Sequence, residues 1–541
     1  MLPLLYSGHL GINTIINYID MKRIFLFLVV FVMGMVFFAS CNKTQPDTSA
    51  EILTTDLFAR ACNCIPQTVF GDSNADYKAW MQFWSGYLSE SKDNRYGQLD
   101  TPSKCTFIGS VYQQAIGNLD KIIKMNEDPE QQKLPNVSAL GSARNQIAAA
   151  KTLSAYFYMF LTDMVGPIVI SDAFQGKLGE SEAPAYDSQR NVFLVLDEVL
   201  NNAYSQFDAS GSLYKYADLV YGGDILKWKK LNASIRMLLA IKLSDVDPAT
   251  GKSRFARAYH DGGMTAASDG MDFTFGNPNK NPLFIWCSKD YAKSDKIIVP
   301  NMILVETMKN LKDPRMSAYF DIEGYKGTRD ESVFPRNNYS SYYGAPFGLA
   351  SPADVSAFET VVCSINKKLL GMFATVPVIP ASRVLLVEAE AAMRGWISAD
   401  AKTLYEAGIR ASFEWWGING ANSYLSSPSI AYSFPKGLEQ IATQRWIASY
   451  LSDGVEAWSD WRRLNIPEMP VGPAAIAKGI DQYPYRLGFY SDKSVTYTSA
   501  SFAEAVSDLR GDDNTTGRVW WDVADNPKLK LTEAQCTPPS L

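Results

Sequence analysis

The sequence predicts a mainly α-helical protein, a scaffold of tetratricopeptide-like (TPR-like) helical hairpins that carries long irregular loop insertions. Three observations support this fold class. Residues 380–417 contain a pair of amphipathic helices, further helical patterns lie on both sides of the pair, and residues 264–348 lose the helical period. We therefore expect one α-helical domain over residues 51–541, with an irregular insert at about 264–348.

The central hairpin has the sequence PASRVLLVEAEAAMRGWISADAKTLYEAGIRASFEWWG. Its first helix is predicted from about Arg383 to Arg394, and Gly395 suits the left-handed position that ends a helix. Ser398 or Asp400 can cap the second helix, whose apolar and small residues form one stripe over 401–416. An ordinary helical hairpin in an all-α core has the same pattern. The flanking segments are therefore needed to distinguish it from a TPR-like hairpin.

Further amphipathic helices flank the hairpin and have recognisable ends. They are predicted at Ser138–Val165, Arg190–Phe207, Ile225–Ser244, Pro300–Lys312 and Lys436–Ser452. Gly166 and Pro167 end the first of them, and Asp224 is a suitable N-cap for the third. Helices of this length on both sides of the hairpin favour a helical-repeat scaffold.

Charge and composition exclude several classes of function. The net charge of −6 argues against a nucleic-acid partner, which usually requires a basic surface. His9 and His260 are the only histidines, so catalytic triads and zinc sites are disfavoured. We expect no metal and no cofactor. A mean hydropathy of −0.12 describes a globular body and not a protein with many membrane spans.

The beginning of the chain resembles a bacterial lipoprotein signal. Lys22 and Arg23 precede the apolar run Ile24–Phe38, and small residues then lead to Cys41. The run is shorter than the ~20 residues of a membrane-spanning helix. We expect residues 21–40 to be the signal, Cys41 to carry the lipid and residues 41–50 to be a tether. Residues 1–20 then precede the natural start.

Six stretches of the chain, in this order, resemble the SusD/RagB family of outer-membrane nutrient-binding lipoproteins, in its SusD-like branch. They are Ala148–Pro167, Gly222–Arg236, Asp313–Phe320, Leu385–Ser412, Gln444–Arg463 and Tyr483–Leu487. The resemblance implies a TPR-like scaffold with irregular excursions, attached by its lipid to the outer membrane at the cell surface. It also implies a glycan-binding protein without enzymatic activity. Its partner would be a SusC-like TonB-dependent transporter, to which it delivers the glycan.

The residues within these motifs suit a structural role better than ligand contact. We expect them to form buried stacking and ion-pair contacts that hold helices together. They are Trp228, Arg236, Trp458, Asp460, Arg462 and Arg463.

Ligand residues are predicted instead among aromatics that helical packing explains least. Aromatic rings stack on the apolar faces of sugars, and polar partners bind the hydroxyl groups. The predicted aromatics come from an N-terminal cluster and from the insert: Trp80, Trp84, Trp286, Tyr291, Tyr342 and Tyr343, with Arg336 and Asn338 as polar partners. Trp80 and Trp84 are an i, i+4 pair, so core packing is the alternative for them.

Two other functions remain open from the sequence. One is a glycoside hydrolase that uses two carboxylates, because Asp and Glu are plentiful. The other is a lipidated TPR-type adaptor that binds a peptide or another protein. Retention by a polysaccharide gel without release of reducing ends would favour the glycan-binding protein over both.

Overall fold

Helices dominate the chain, and their ends follow local capping chemistry. The structure is a computed structural model that describes residues 52–71, 80–90, 99, 106–174, 185–276, 279–287, 298–323, 332–351, 354, 357, 358, 360–488 and 500–539. Cys41 and Tyr291, two of the predicted functional residues, lie outside these ranges. Residues Leu53–Leu541 form one compact unit. The large apolar clusters lie within this unit.

The described helices are α1 (Thr54–Cys62), α2 (Ile65–Phe70), α3 (Trp80–Trp84), α4 (Thr106–Ser110), α5 (Gly117–Glu127), α6 (Pro135–Ser138), α7 (Ala143–Val165), α8 (Ser171–Phe174), α9 (Gln189–Gln206), α10 (Ile225–Ile241), α11 (Pro248–Asp261), α12 (Pro282–Trp286), α13 (Met302–Asn310), α14 (Met316–Tyr319), α15 (Ala381–Met393), α16 (Ala401–Trp415), α17 (Ala421–Leu425), α18 (Gly437–Ala448), α19 (Gly454–Leu464), α20 (Pro473–Ile476) and α21 (Ala500–Val506).

The predicted central hairpin is present as α15 and α16. Gly395 follows α15 with φ of +69°, in the left-handed region that favours glycine. The Asp400 carboxylate caps α16 by accepting a hydrogen bond of 3.0 Å from the backbone N–H of Thr403. The two helices touch at Gly408, where a Cβ would come within 2.6 Å of Leu386 Cγ. Only glycine permits this approach.

One predicted helix start is wrong. The helix expected from Ser138 begins at Ala143 instead, because Gly141 has φ of +146° and interrupts the helical backbone. The hydroxyl of Ser142 then caps α7 by accepting a hydrogen bond from the backbone N–H of Asn145.

The helices pack as neighbouring pairs around a continuous core. α15 packs on α16 and α18, α7 packs on α5 and α9, and α10 packs on α11. The core extends from Leu57 in α1 to Trp521 near the C-terminus. The prediction of a mainly α-helical scaffold of TPR-like helical hairpins is confirmed.

Three short antiparallel ribbons connect the irregular insert to the rest of the chain. They pair β1 (Leu88–Glu90) with β3 (Ile298–Pro300), β2 (Met271–Thr274) with β6 (Thr375–Ile379), and β4 (Phe320–Asp321) with β5 (Ser364–Ile365). The insert therefore contains strands and the short helices α12–α14 as well as loops.

A chain of buried ion pairs crosses the helical scaffold. It runs from Asp163 in α7 through Lys242 and Glu456 to Arg383, and then through Asp460 and Arg445 to Glu390 and Arg463. Burial raises the pKa of Glu390, but Arg463 and Arg445 outweigh it and hold the pKa well below its usual value. Helices that are far apart in sequence are thus joined by charged groups that are almost fully buried.

A further buried carboxyl, that of Glu388 in α15, has no cationic partner among the contacts of the described residues. Its side chain is 3% exposed, and burial raises its pKa to about 8. The unfolded chain loses this proton near pH 4.5, whereas the folded chain keeps it up to about pH 8. Stability is therefore lost as the pH rises through this window.

We expect Glu388→Gln to remove this loss, because the amide resembles the protonated acid. Urea unfolding should find the variant more stable than the wild type at pH 8 by roughly 1–3 kcal/mol, with a much smaller difference at pH 5. Glu406→Gln, at a partly exposed ion pair on α16, is the matched control. An equal difference at both pH values would contradict the prediction.

Candidate functional site

A cleft with a volume of about 470 Å³ lies between α13, the loop after α19 and the C-terminal segment. It is lined by Ile303, Glu306, Thr307, Asn310, Pro467, Glu468, Pro470, Leu529, Lys530 and Gln535. Most of these side chains carry hydrogen-bonding groups, and the prolines add flat apolar surface. Its size falls within the range of small-molecule sites.

Helix α13 provides one wall of the cleft. Asn301 caps it, since the side-chain oxygen accepts a hydrogen bond of 2.8 Å from the backbone N–H of Ile303. The lining residues on α13 follow the i, i+3, i+4, i+7 spacing of one helix face. The opposite face is buried in the core through Leu304, Val305 and Met308. The wall is thus a well-anchored helix surface.

The opposite wall is built from two segments that bond to each other. After α19 the chain turns at Asn465, whose φ is +52°, and passes along the cleft as Pro467–Pro470. The backbone N–H of Val471 then donates to the carbonyl of Leu529 at 2.8 Å, and the N–H of Leu531 donates back to Val471 at 3.0 Å. These bonds fix the C-terminal segment at the cleft.

Two glycines allow the insert to reach the same place. A Cβ on Gly344 would lie 2.6 Å from the backbone of Asn301, at the start of α13. A Cβ on Gly472 would lie 2.3 Å from the carbonyl oxygen of Gly348. The insert therefore packs directly against both α13 and the loop after α19.

An aromatic ring of the insert lies beside the cleft. Glu306 accepts a hydrogen bond of 2.8 Å from Lys309 Nζ, and the same Nζ lies 4.7 Å from the centroid of the Tyr343 ring. Tyr343 is half-buried. A carboxylate, an ammonium group and an aromatic ring are thus aligned on one surface.

The structure corrects the predicted ligand face at four aromatic positions. The side chains of Trp80, Trp84, Trp286 and Tyr342 are each at most 2% exposed. A ring that is covered on both faces by protein cannot stack on a sugar without unfolding its surroundings. Their proposed contact with a ligand is therefore wrong for this conformation.

Aromatic packing explains where these rings lie. Trp80 and Trp84 form an edge-to-face pair with centroids 5.0 Å apart, and both rings also contact Trp458. Trp286 packs edge-on against Phe70 at 6.1 Å. Tyr342 lies in a turn, but its hydroxyl donates to the carbonyl of Arg336 at 3.0 Å and so its ring can be buried.

The other predicted ligand residues are more accessible. Asn338 is exposed, although its side-chain oxygen accepts a hydrogen bond of 3.0 Å from the backbone N–H of Ser340. Arg336 is half-buried and forms an ion pair with Asp321. Of the described residues in the predicted set, Tyr343 is therefore the aromatic that offers a face next to a cleft.

The six predicted structural residues occupy buried positions between elements. Trp228 donates from Nε1 to Asp218 at 2.7 Å, and Arg236 pairs with Asp261 at 2.5 Å. Asp460 and Arg463 belong to the chain of buried ion pairs, where Asp460 accepts from Arg445 at 2.9 Å. These contacts are of the kind that joins helices.

Trp458 and Arg462 form a stacked pair near the C-terminus. The guanidinium of Arg462 lies 4.0 Å from the ring centroid of Trp458 and 4.6 Å from that of Trp521. It donates to the carbonyls of Asp163 and Tyr485 at 2.8 and 2.9 Å. Burial lowers the pKa of Arg462 to about 10.

The residues that line the cleft were not singled out from the sequence. The outer face of α13 is visible as a helical period, and Pro467 and Pro470 mark a loop. Nothing local shows that these segments meet, because their contact depends on the backbone bonds of Val471 to the C-terminal segment.

Within the described ranges, no group of three or more His, Cys, Asp or Glu side chains is arranged to hold a metal ion. No helix in the same ranges has both the length and the apolar character needed to cross a membrane.

The fold and the cleft define a class of protein: a helical-repeat scaffold with a partly polar cleft where its loops meet. A SusD-like family profile, described as "Starch-binding associating with outer membrane", matches residues 46–490. The chain belongs to this family, and the resemblance found in the sequence motifs is confirmed.

Solved structures show the same fold. A chitin-binding SusD homologue from Flavobacterium johnsoniae is 24% identical with a TM-score of 0.68, over 87% of this chain and 98% of that one. A SusD homologue from Bacteroides uniformis is 22% identical with a TM-score of 0.69, over 86% and 99%. A SusD-like protein from Bacteroides thetaiotaomicron is 23% identical with a TM-score of 0.67, over 87% and 99%. A comparison with curated protein sequences finds no match.

Proposed function

We propose that this protein captures a glycan at the cleft beside α13 and performs no chemistry on it. The observation that carries the proposal is the lining of the cleft. Amide, carboxylate and hydroxyl groups on Asn310, Glu468 and Thr307 are suited to sugar hydroxyls, and Pro467 and Pro470 offer apolar surface. Tyr343 adds a ring at the edge.

The family and one relative indicate the ligands to test first. The family description names starch, and the similar protein from Flavobacterium johnsoniae is described as chitin-binding. Both are neutral polysaccharides whose sugar rings present hydroxyls at the edges and C–H groups on the faces. A cleft that combines neutral and charged hydrogen-bonding groups with two prolines is compatible with such rings.

We expect Thr307→Trp to weaken glycan binding about tenfold or more, because the indole would fill the cleft from the exposed face of α13. Affinity gels first identify whether starch or chitin oligosaccharides are retained, and calorimetry then gives the affinity. Lys402→Trp on the exposed face of α16 is the matched control. Tyr343→Ala should cost a smaller factor, about fivefold, for the loss of one stacked ring.

If the Thr307→Trp variant has a glycan affinity within twofold of the wild type and the same melting temperature, the glycan binds somewhere other than this cleft. Release of reducing ends by the wild type would support the hydrolase instead. If the wild type is not retained by the gel and releases no reducing ends, the adaptor is favoured.

We further propose that Cys41 carries a lipid, which holds the protein at the cell-surface side of the outer membrane. The signal-like order of residues 22–41 supports this, and so does the family's association with the outer membrane. The Cys41→Ala variant should take up no labelled palmitate and should leave the membrane fraction. Persistent labelling of the variant would contradict the assignment.

At the cell surface, the captured glycan must cross the outer membrane. We propose that a SusC-like TonB-dependent transporter receives it from this protein, as the resemblance to SusD proteins implies. Affinity purification of the tagged protein from mildly solubilised membranes should recover such a transporter, and its absence would argue against delivery.

A further inference from the structure

Residues 527–539, which we call the C-terminal strap, line the cleft without entering the core. The strap supplies Leu529, Lys530 and Gln535 to the lining. None of its residues is buried, whereas Asn526, just before it, is 6% exposed. No residue of the strap belongs to the largest apolar cluster. One wall of the cleft is therefore a segment that contributes almost nothing to the core.

Few contacts hold the strap to the rest of the protein. Among the described residues, the hydrogen bonds that leave it are the two backbone bonds with Val471 and those from Lys528 Nζ to the Asp481 carboxylate at 3.0 Å. Both side chains of this ion pair are more than half exposed, so it adds little stability. Cys536 is half-buried against a small apolar cluster that includes Val362. A segment with so few buried contacts opens at a far lower free energy than the whole fold.

The other hydrogen bonds of the strap are internal and move with it. The side-chain oxygen of Gln535 accepts from the backbone N–H of Thr532 at 2.9 Å and from its hydroxyl at 3.0 Å. The backbone N–H of Cys536 donates to the carbonyl of Thr532 at 3.1 Å. These bonds keep residues 532–536 in one compact turn. The strap is thus able to leave the cleft and return to it with Gln535 in the same local geometry.

The strap has a defined point of attachment. The side-chain amide of Asn526 donates to the carbonyls of Trp461 and Arg462, both at 3.2 Å, in α19. Asn526 is buried, and Pro527 after it is exposed. The chain is therefore anchored up to Asn526 and loosely held beyond it, which is the arrangement of a hinge at the end of an element.

We propose that the C-terminal strap moves away from α13 to admit the glycan and closes on it afterwards. A ligand between the two walls contacts Thr307 or Asn310 on α13 and Lys530 or Gln535 on the strap. It therefore binds the closed state more tightly than the open state and shifts the equilibrium towards closure. The inference rests on the glycan binding proposed for this cleft.

Hydrogen exchange of the protein, followed by mass spectrometry of its peptides, tests the opening without a ligand. The N–H of Val471 donates to the strap, so it should exchange together with the strap and about a hundredfold faster than the amides of α19. Leu531→Pro removes the N–H that donates to the carbonyl of Val471, and it should speed this exchange about tenfold.

Glu533→Pro is the matched control, because the N–H of Glu533 makes no hydrogen bond with a described residue. It should leave the exchange of Val471 unchanged, and both proline variants should keep the wild-type melting temperature. Exchange of Val471 as slow as that of α19 in the wild type would overturn the proposal. An equal rate in Leu531→Pro and the wild type would also overturn it.

Maltotriose and chitotriose are the probes for closure, and the affinity gel identifies which type of sugar is retained. The retained sugar should slow the exchange of Val471 and of the strap about fivefold or more, while the amides of α5 keep their rates. A sugar that binds without slowing the strap would overturn closure alone. Retention of neither sugar would contradict the proposed glycan binding and closure with it, and the exchange of the free protein would still decide whether the strap opens.

Discussion

Replacing Asp460 with asparagine is expected to lower the free energy of unfolding by about 3–5 kcal/mol. The Asp460 carboxylate is 2.7 Å from Arg383 and 2.9 Å from Arg445, and it also accepts from Arg463. Removing its negative charge leaves these buried arginines only partly neutralised. Burial raises the pKa of Asp460, but the arginines have the larger effect and lower this pKa below its usual value.

Urea unfolding measures this loss directly. Glu406→Gln, which removes the partner of Arg410 on the surface of α16, should change the stability by less than about 1 kcal/mol. An Asp460→Asn variant as stable as this control would show that the buried ion pairs add little to the fold.

Trp458→Ala is expected to cost about 3–5 kcal/mol, the usual range for loss of a large buried aromatic. The ring is 1% exposed and contacts Trp80, Trp84 and Arg462, and its Nε1 donates to the carbonyl of Pro484 at 2.9 Å. Deleting it creates a cavity between α3 and α19 and leaves one face of the Arg462 guanidinium uncovered.

Thermal melting followed by glycan affinity separates the possible roles of Trp458. The melting temperature should fall by several degrees, while the fraction that remains folded should bind as the wild type does. Phe434→Ala is the control for removing an exposed ring. Unchanged melting together with lost binding would place Trp458 at the ligand and not in the core.

The helical scaffold could largely be predicted from the sequence, because it depends on local signals. Asp400, Gly395 and the period of α16 are local signals that mark the ends and the packed face of the central hairpin. The structural role of the motif residues could also be predicted locally, since tryptophan next to arginine and aspartate in a helix indicates buried pairing.

The ligand face was harder to predict, because the exposure of a side chain depends on contacts with residues far along the chain. Trp80 is covered by Trp458, and nothing near residue 80 reveals that partner. The cleft is likewise built from segments far apart in the chain: α13, the loop at 467–470 and the segment at 529–535 meet there, and the backbone of Val471 bonds to Leu529. Local composition therefore predicts aromatic clusters but not which of them faces solvent.

The long sequence separations in the core have a consequence for the order of folding. Gln82 donates to the carbonyl of Ser452 across 370 residues, and Tyr156 donates to Asp453 across 297. Contacts of this kind close only after long loops have been brought together, which slows the final step. The short helix α3 thus lacks its packing partner Trp458 until α19 is available, so this part of the native core forms late, when most of the chain is present.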